Sequence, residues 1–328
     1  MDLFSAKDEN AQIGDKMKIV FMGTPDFAAK TLEYLIVAGH EIAAVVTQPD
    51  RPKGRGNGVA FSAVKELAVK EMIPVLQPVK IKQDEAFYEE LKKIQPDCIV
   101  VAAFGQILPK NILDLPKFGC INVHASLLPK YRGAAPIQWV VVNGEKEAGV
   151  TIMHMDIGCD TGDMIMSDKI VLDEKETGGS LHDKLAELGG KLIVKALPMI
   201  EAGTATRTPQ IESESTYVGM LKKQDGNVDF TKSAVEIERL IRGLTPWPSA
   251  FTSLDNKTLK LWNADVISGP TKGECGEIID VTKDAIIVQT GEGYLAIKEL
   301  QLEGKKRMLV EPFLLGYHVE KGSKLFKR

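Results

Sequence analysis

KIVFMGTPDFAAKTLEYLIVAGHEIAAVVTQ, residues 18–48, is the stretch that sets the architecture. KIVFMG is a short apolar run that stops at Gly23. DFAAKTLEYLIVAG then spaces its apolar residues as a helix does and ends at Gly39, where a left-handed turn can close the helix. EIAAVVTQ is the next apolar run. Strand, helix, strand in this order predicts two parallel strands joined by a right-handed crossover.

The alternation continues outward. Helices are predicted around Ala63–Lys70 and Asp84–Lys93, then the strands CIVVAAF at 98–104 and GCINVHA at 119–125. Near-continuous Val and Ile runs belong to strands covered on both faces. The expected fold class is α/β, a doubly wound, mostly parallel, Rossmann-like sheet. A helix over Ser180–Ala202 closes this region, and GTATRTPQIESESTYVG, polar and rich in Thr and Ser, reads as a linker. Beyond it come a helical piece, AVEIERLIRGL, and the short alternating runs KTLKLWNADVI, GEIIDVTKDAIIVQT and GYLAIKELQ. These predict a second, smaller antiparallel β-barrel, OB-like, at the C-terminal end. The expected domains are a flexible leader 1–16, an α/β domain 17–206, a linker 207–225 and a barrel domain 226–328.

At 328 residues the chain can bury two cores. It has no run of eighteen apolar residues and no apolar core near its start, which points to a cytoplasmic protein with no membrane partner. Cys98, Cys120, Cys159 and Cys275 are scattered without metal-like spacing, so they read as reduced and structural, with no metal expected. The net charge of −4 gives no global sign of nucleic-acid binding, so any such role must rest on local patches.

Three stretches carry chemistry. In INVHASLLPKYRGAAPIQW, residues 121–139, Asn122 and His124 stand two apart at the end of a predicted strand and share one face. Ligands in open α/β sheets bind at that end of the strands. A Pro- and Gly-shaped loop follows, then a helix with Pro136 in its first turn. The plain reading is a packed turn with a satisfied histidine; an amide and an imidazole together favour a site. MDIGCDTGDMI, residues 155–165, alternates Asp156, Asp160 and Asp163 with Gly158 and Gly162, a loop whose backbone can lie close to a flat ligand. Its spacing does not fit a calcium loop. TQPDRPKGRGNGV, residues 47–59, sets Arg51, Lys53 and Arg55, with Lys65 nearby, among Pro and Gly. It is either a solvated loop or an arm that seeks phosphates. His154, in the run TIMHM, could face core or cleft.

Together the Asn-x-His pair, SLLPKYRGAAP and the DxGxDTGD loop resemble the folate-dependent formyltransferase family, over nearly the whole chain from Met17. GTPDF, QPDRPKGRG and the extra C-terminal domain resemble in particular the member that acts on a tRNA. The resemblance implies 10-formyltetrahydrofolate as donor, methionyl initiator tRNA as acceptor and formylmethionyl-tRNA for translation initiation as product. A sugar-nucleotide amine is the alternative acceptor. It further implies Asn122, His124 and Asp160 as the catalytic trio. Phe104, Gly105, Gln106, Ile107 and Leu108 would form the pterin pocket, with Ser126, Leu127, Leu128 and Pro129 lining the folate site. Gly158 and Gly162 would let the ring lie against backbone, and Arg51, Lys53 and Arg55 would reach the acceptor end of the tRNA. The barrel would touch the rest of the acceptor arm, and the protein would be a monomer.

Such a transfer passes through a tetrahedral oxyanion. The amine must lose a proton, the oxyanion needs a donor, and the leaving nitrogen must gain a proton. Asn122 has an NH₂ donor for the oxyanion. His124 can move a proton near neutral pH, as base or as oxyanion partner. Asp160 can orient the imidazole or hold a water that relays protons.

Overall fold

The computed structural model describes residues 16–53 and 58–326. The first part of the chain runs β1 (Lys18–Gly23), α1 (Asp26–Val37), β2 (Glu41–Val46), β3 (Arg51–Lys53), β4 (Gly58–Ala60), α2 (Ala63–Lys70) and β5 (Val75–Leu76). It continues through α3 (Glu85–Ile94), β6 (Cys98–Ala102), α4 (Lys110–Leu113) and β7 (Cys120–His124). After these come β8 (Arg132–Gly133), α5 (Pro136–Val142), β9 (Glu147–His154), β10 (Met164–Val171) and the long α6 (Gly178–Glu201).

Seven strands form the main sheet in the order β10-β9-β7-β6-β1-β2-β5. The strands from β5 to β7 are parallel, and β9 turns antiparallel to β7. Every residue of β6 and of β7 is buried, as expected for central strands covered on two faces. The helices α2 and α3 begin where a short polar side chain takes an orphan backbone N–H. Ser62 accepts from Lys65 N at 3.1 Å, and Asp84 accepts from Phe87 N at 3.0 Å. Phe27, Ala28, Thr31, Leu32 and Leu35 give α1 its buried stripe. Leu32 and Leu35 are fully buried; each such side chain contributes roughly 2 kcal/mol.

The later part carries β11 (Tyr217–Val218), α7 (Ala234–Gly243), β12 (Ala250–Leu254), β13 (Lys257–Ile267), β14 (Ile278–Val281), β15 (Ile286–Gln289), β16 (Tyr294–Leu302), β17 (Met308–Leu309) and α8 (Val310–Gly316). The antiparallel order is β12-β13-β16-β15-β14, with β17 added on β16. The last described residues link its two edges, because Ser253 bridges Phe326 and Glu277 bridges Lys324. That linkage gives the sheet its barrel character. Its core draws Leu259, Leu261, Ile286, Leu295 and Ile297 from the strands and Ile237 and Ile241 from α7. Ser233 and Glu236 start α7 with a reciprocal cap.

Packing groups the residues into two compact units. One holds the chain up to His124 with Val150–Asp168 and Ala186–Gln210, and the other holds Ala125–Gly149, Lys169–Leu185 and the chain from Ile211 onward. The units interleave because the chain does not hand over once. The stretch 207–225, expected as a linker, contains β11, which pairs in parallel with β8 of the SLLPKYRGAAP loop. The basic stretch expected as a loop starts and ends as a ribbon, with Arg51 opposite Ala60.

Candidate active site

β7 delivers Asn122 and His124. They lie on the same face near the carboxyl end of a central strand, 8% and 6% exposed. Asp160 comes to them from the loop after β9. Asn122 Nδ2 donates to Asp160 Oδ1 at 3.3 Å, and His124 Nδ1 lies 3.6 Å from the same oxygen. One carboxylate oxygen therefore gathers the amide and the imidazole, the latter through its Nδ1 side. The arrangement is a proton-handling group with its orienter, plus an amide donor beside it.

The loop is built to hold Asp160 there. Asp156 Oδ1 accepts from Gly158 N at 2.9 Å and from Thr161 Oγ1 at 2.6 Å. Asp160 itself sits at φ +55, a conformation that Asp tolerates better than most residues. Gly162 is needed for close approach, since a Cβ there would lie 1.9 Å from the carbonyl oxygen of His154. Gln210 Nε2 donates to the carbonyls of Asp160 and Gly162, each at 2.8 Å. Sequence reading missed Gln210. Its only signal is an amide beyond the helix that follows the loop, and no spacing rule links the two.

β6 neighbours β7 in the sheet, so Phe104–Leu108 emerges beside the trio's strand. This segment divides in two. Phe104 and Leu108 are buried in the core with Ile112 and Cys120, whereas Gly105 and Ile107 are exposed. Gln106 is an anchor; its Oε1 accepts from Ile81 N at 3.0 Å and its Nε2 donates to Pro78 O at 3.4 Å. In the acidic loop Gly158 is exposed and Gly162 buried. An exposed backbone step between buried anchors suits a flat ring laid against it.

The segment after His124 has its own supports. Ser126 is 1% exposed and Leu128 8%; Leu127 and Pro129 are half-buried. Ser126 Oγ donates to Lys130 O at 2.7 Å. Tyr131 N donates to Thr216 Oγ1 at 2.8 Å, and Tyr131 OH donates to Glu145 at 2.6 Å. Arg132 is the largest fully buried side chain. Its Nη1 donates to Glu212 Oε2 at 2.8 Å and to Tyr217 OH at 2.5 Å, and the guanidinium lies 5.3 Å from the Tyr217 ring centroid. Gly133, at φ +104, passes so close to Val218 that a Cβ would sit 2.3 Å from its carbonyl oxygen. A buried arginine inside SLLPKYRGAAP was a signal the sequence offered and the reading did not use.

Arg51 and Lys53 stand in β3, and Arg51 is exposed. Arg55 lies outside the described residues. Lys65 is drawn inward, with its ammonium 2.5 Å from Asp50. His154 ends β9 and borders a cavity of about 360 Å³ with Lys117, Gly119 and Arg207. Burial first, then the nearby Arg207, pushes its pKa down to about 4, with Asp163 opposing. Among the described residues, no group of three His, Cys, Asp or Glu could hold a metal ion, and no helix is long and apolar enough to cross a membrane. Cys98 and Cys120 are buried with thiol pKa values pushed up by burial; Cys159 and Cys275 are exposed, and no disulfide joins any of the four.

Residues 17–197 match the model of the formyl transferase family, and residues 220–318 match that of the formyl transferase C-terminal domain. A methionyl-tRNA formyltransferase of Agathobacter rectalis is 58% identical over 94% of this chain and 99% of its own length. One from Lachnospira eligens is 56% identical over 93% of this chain and 98% of its own. Among solved structures, an N-formyltransferase from Helicobacter canadensis, in complex with folinic acid and dTDP-3-aminofucose, superposes with a TM-score of 0.64. It is 20% identical, covers 89% of this chain and 100% of its own, and is a likeness of fold.

Proposed function

The chain belongs to the formyl transferase family, and from that footing we propose that it transfers the formyl group of 10-formyltetrahydrofolate to the amino group of methionyl initiator tRNA. The observation that carries this reading is the match of both regions, C-terminal barrel included, to relatives of that activity over almost their full length. A sugar-amine acceptor has a fold-level likeness alone to support it.

The described residues fit the donor. Gly105 and Ile107 expose a backbone step at the end of β6, and the acidic loop exposes Gly158 and brings Asp160 to the trio. When bound, the folate supplies the formyl carbon and a leaving nitrogen. Asn122 has two amide hydrogens; one goes to Asp160, and the other suits the oxygen that gains charge as the amine attacks. One such donor contributes a factor of about 10² to 10³ in rate. His124, steered through Nδ1 by Asp160, presents Nε2 to take a proton from the attacking amine or return one to the leaving nitrogen. Asp160 fixes the imidazole and supports the positive charge it acquires.

The acceptor contacts belong to the same proposal. Arg51, Lys53 and Arg55 engage phosphates near the acceptor end, the barrel meets the rest of the acceptor arm, and the enzyme works as a cytoplasmic monomer. A methionyl-tRNA is a polyanion, and a protein of net charge −4 needs such a local basic arm to hold it.

Formyl transfer from 10-formyltetrahydrofolate is to be measured with initiator methionyl-tRNA beside elongator methionyl-tRNA and a sugar-nucleotide amine. Preferred formylation of the initiator is the expected result. Transfer to the small amine alone keeps the trio and removes the tRNA assignment.

A further inference from the structure

We propose that Lys65 is a positioning residue, the centre of a polar bracket that ties the root of the basic arm to the segment at the end of β6. The proposal rests on the tRNA reading given above. It assigns Lys65 a role different from the phosphate contact that its place near Arg51, Lys53 and Arg55 suggests.

The ammonium of Lys65 is already engaged in three directions. It donates to Asp50 Oδ2 at 2.5 Å and to Gln77 Oε1 at 2.8 Å, and it lies 4.1 Å from the centroid of the Phe61 ring. Its side chain is 15% exposed. An ammonium has three hydrogens, so a lysine held this way has little left to offer a phosphate. Asp50 is held below the usual carboxylate range by the Lys65 hydrogen bond first and by Gln77 second, in keeping with an ionised partner.

The partners explain what the bracket grips. Asp50 immediately precedes Arg51 at the start of β3, and Phe61 immediately follows Ala60 at the end of β4. Arg51 and Ala60 are themselves paired, so Lys65 holds both legs of the ribbon at its base. Gln77 carries the link onward. Its Nε2 donates to Asp50 Oδ1 at 2.9 Å and to the carbonyl of Gln48 at 3.0 Å. Gln48 Nε2 donates to the carbonyl of Phe104 at 3.1 Å. The chain of contacts therefore runs from the arm's root to the backbone of the segment assigned to the pterin. A helix residue in the first turn of α2 and a residue next to β5 do the holding, which lends the root of the ribbon the rigidity of the sheet.

A positioning lysine and a phosphate-binding lysine differ in salt dependence. Losing a phosphate contact flattens the plot of log affinity against log salt by about one, because fewer counterions are released. Losing the bracket misplaces the arm and leaves the number of contacts in the engaged state unchanged. Lys65→Met keeps the side chain's length and removes its hydrogens. Steady-state kinetics of initiator methionyl-tRNA formylation are expected to show KM for tRNA raised about tenfold, with kcat held within about threefold, given the strength of charged hydrogen bonds. The salt slope of kcat/KM should match wild type. Lys65→Arg, which can still pair with Asp50, should restore KM to within about threefold.

An unchanged tRNA KM in Lys65→Met overturns the proposal, and so does a salt slope smaller by about one. If Lys65→Met does not fold, Asp50→Asn cuts the same pair from the other side and is judged by the same two readings. Wild type run in parallel separates the two levels of inference. A wild type that formylates no tRNA overturns the functional reading and the bracket with it. An active wild type with indifferent variants overturns the bracket alone.

Discussion

The two loops that follow β9 and β7 are held in opposite ways. Residues 156–163 are fastened largely from within: Asp156 serves Gly158 and Thr161 and Gly162 lies on the carbonyl of His154, while Asn122 and Gln210 reach in from afar. Residues 126–136 are fastened from without, by Thr216, Glu212, Tyr217 and Val218, eighty or more positions along the chain. A loop that brings one carboxylate to a strand's end can be specified largely by its own few residues. A loop that must present a surface borrows a strand.

The comparison can be broken at several points. Asp160→Ala or His124→Ala has the largest expected effect: kcat/KM for formyl transfer should fall by about 10² to 10⁴ with far-ultraviolet circular dichroism unchanged. A variant of either kind that keeps more than about a tenth of the wild-type rate removes the trio as the centre of the first loop's purpose. Arg132→Met strikes the outside fastening. It takes away the hydrogen bonds to Glu212 and Tyr217 and a ring contact at a fully buried position and should lower stability by about 2 kcal/mol in urea unfolding. Arg132→Lys should recover little of this, since an ammonium cannot reproduce the fork and the stacking. Equal stability for Arg132→Met and wild type would mean that the borrowed strand holds through its backbone alone.

The smallest effect sharpens the contrast by pH. His154, at the root of the first loop, has its pKa held at about 4, below the ordinary 6.5. The unfolded chain therefore binds a proton more readily. Stability from this group is complete above about pH 6.5 and is lost as the pH falls through the window toward 4. His154→Gln should shallow the acid slope of the unfolding midpoint in that window. An identical slope in the variant would show that another group dominates. Arg132 itself stays charged throughout that range.

Much of this was legible beforehand, and the reasons are physical. Strand runs such as CIVVA and helical spacing such as that of Ala63–Lys70 are local, so α2 and β6 lie where the periodicity places them. Asn122 and His124 share a face because alternation along a strand is an unbroken rule. The resemblance of the DxGxDTGD stretch identified Asp160, and its meeting with Asn122 Nδ2 needed the fold. What stayed hidden depends on pairing at a distance. Lys65 looked like one more cation of a basic arm, because nothing in the spacing announces Asp50 and Gln77 as its partners. The stretch 207–225 looked like a linker because two-residue strands leave no periodicity to read.

The pairing of β11 with β8 bears on how this protein can be cut and recombined. A protease nick or a stop codon near residue 207 would free the α/β sheet of the barrel, and would also strip the SLLPKYRGAAP loop of Glu212, Thr216 and Tyr217. A fragment that keeps this loop's fastening therefore extends at least through Val218. A C-terminal barrel exchanged between relatives has to join beyond that point, so that the recipient keeps the strand its own loop was shaped around.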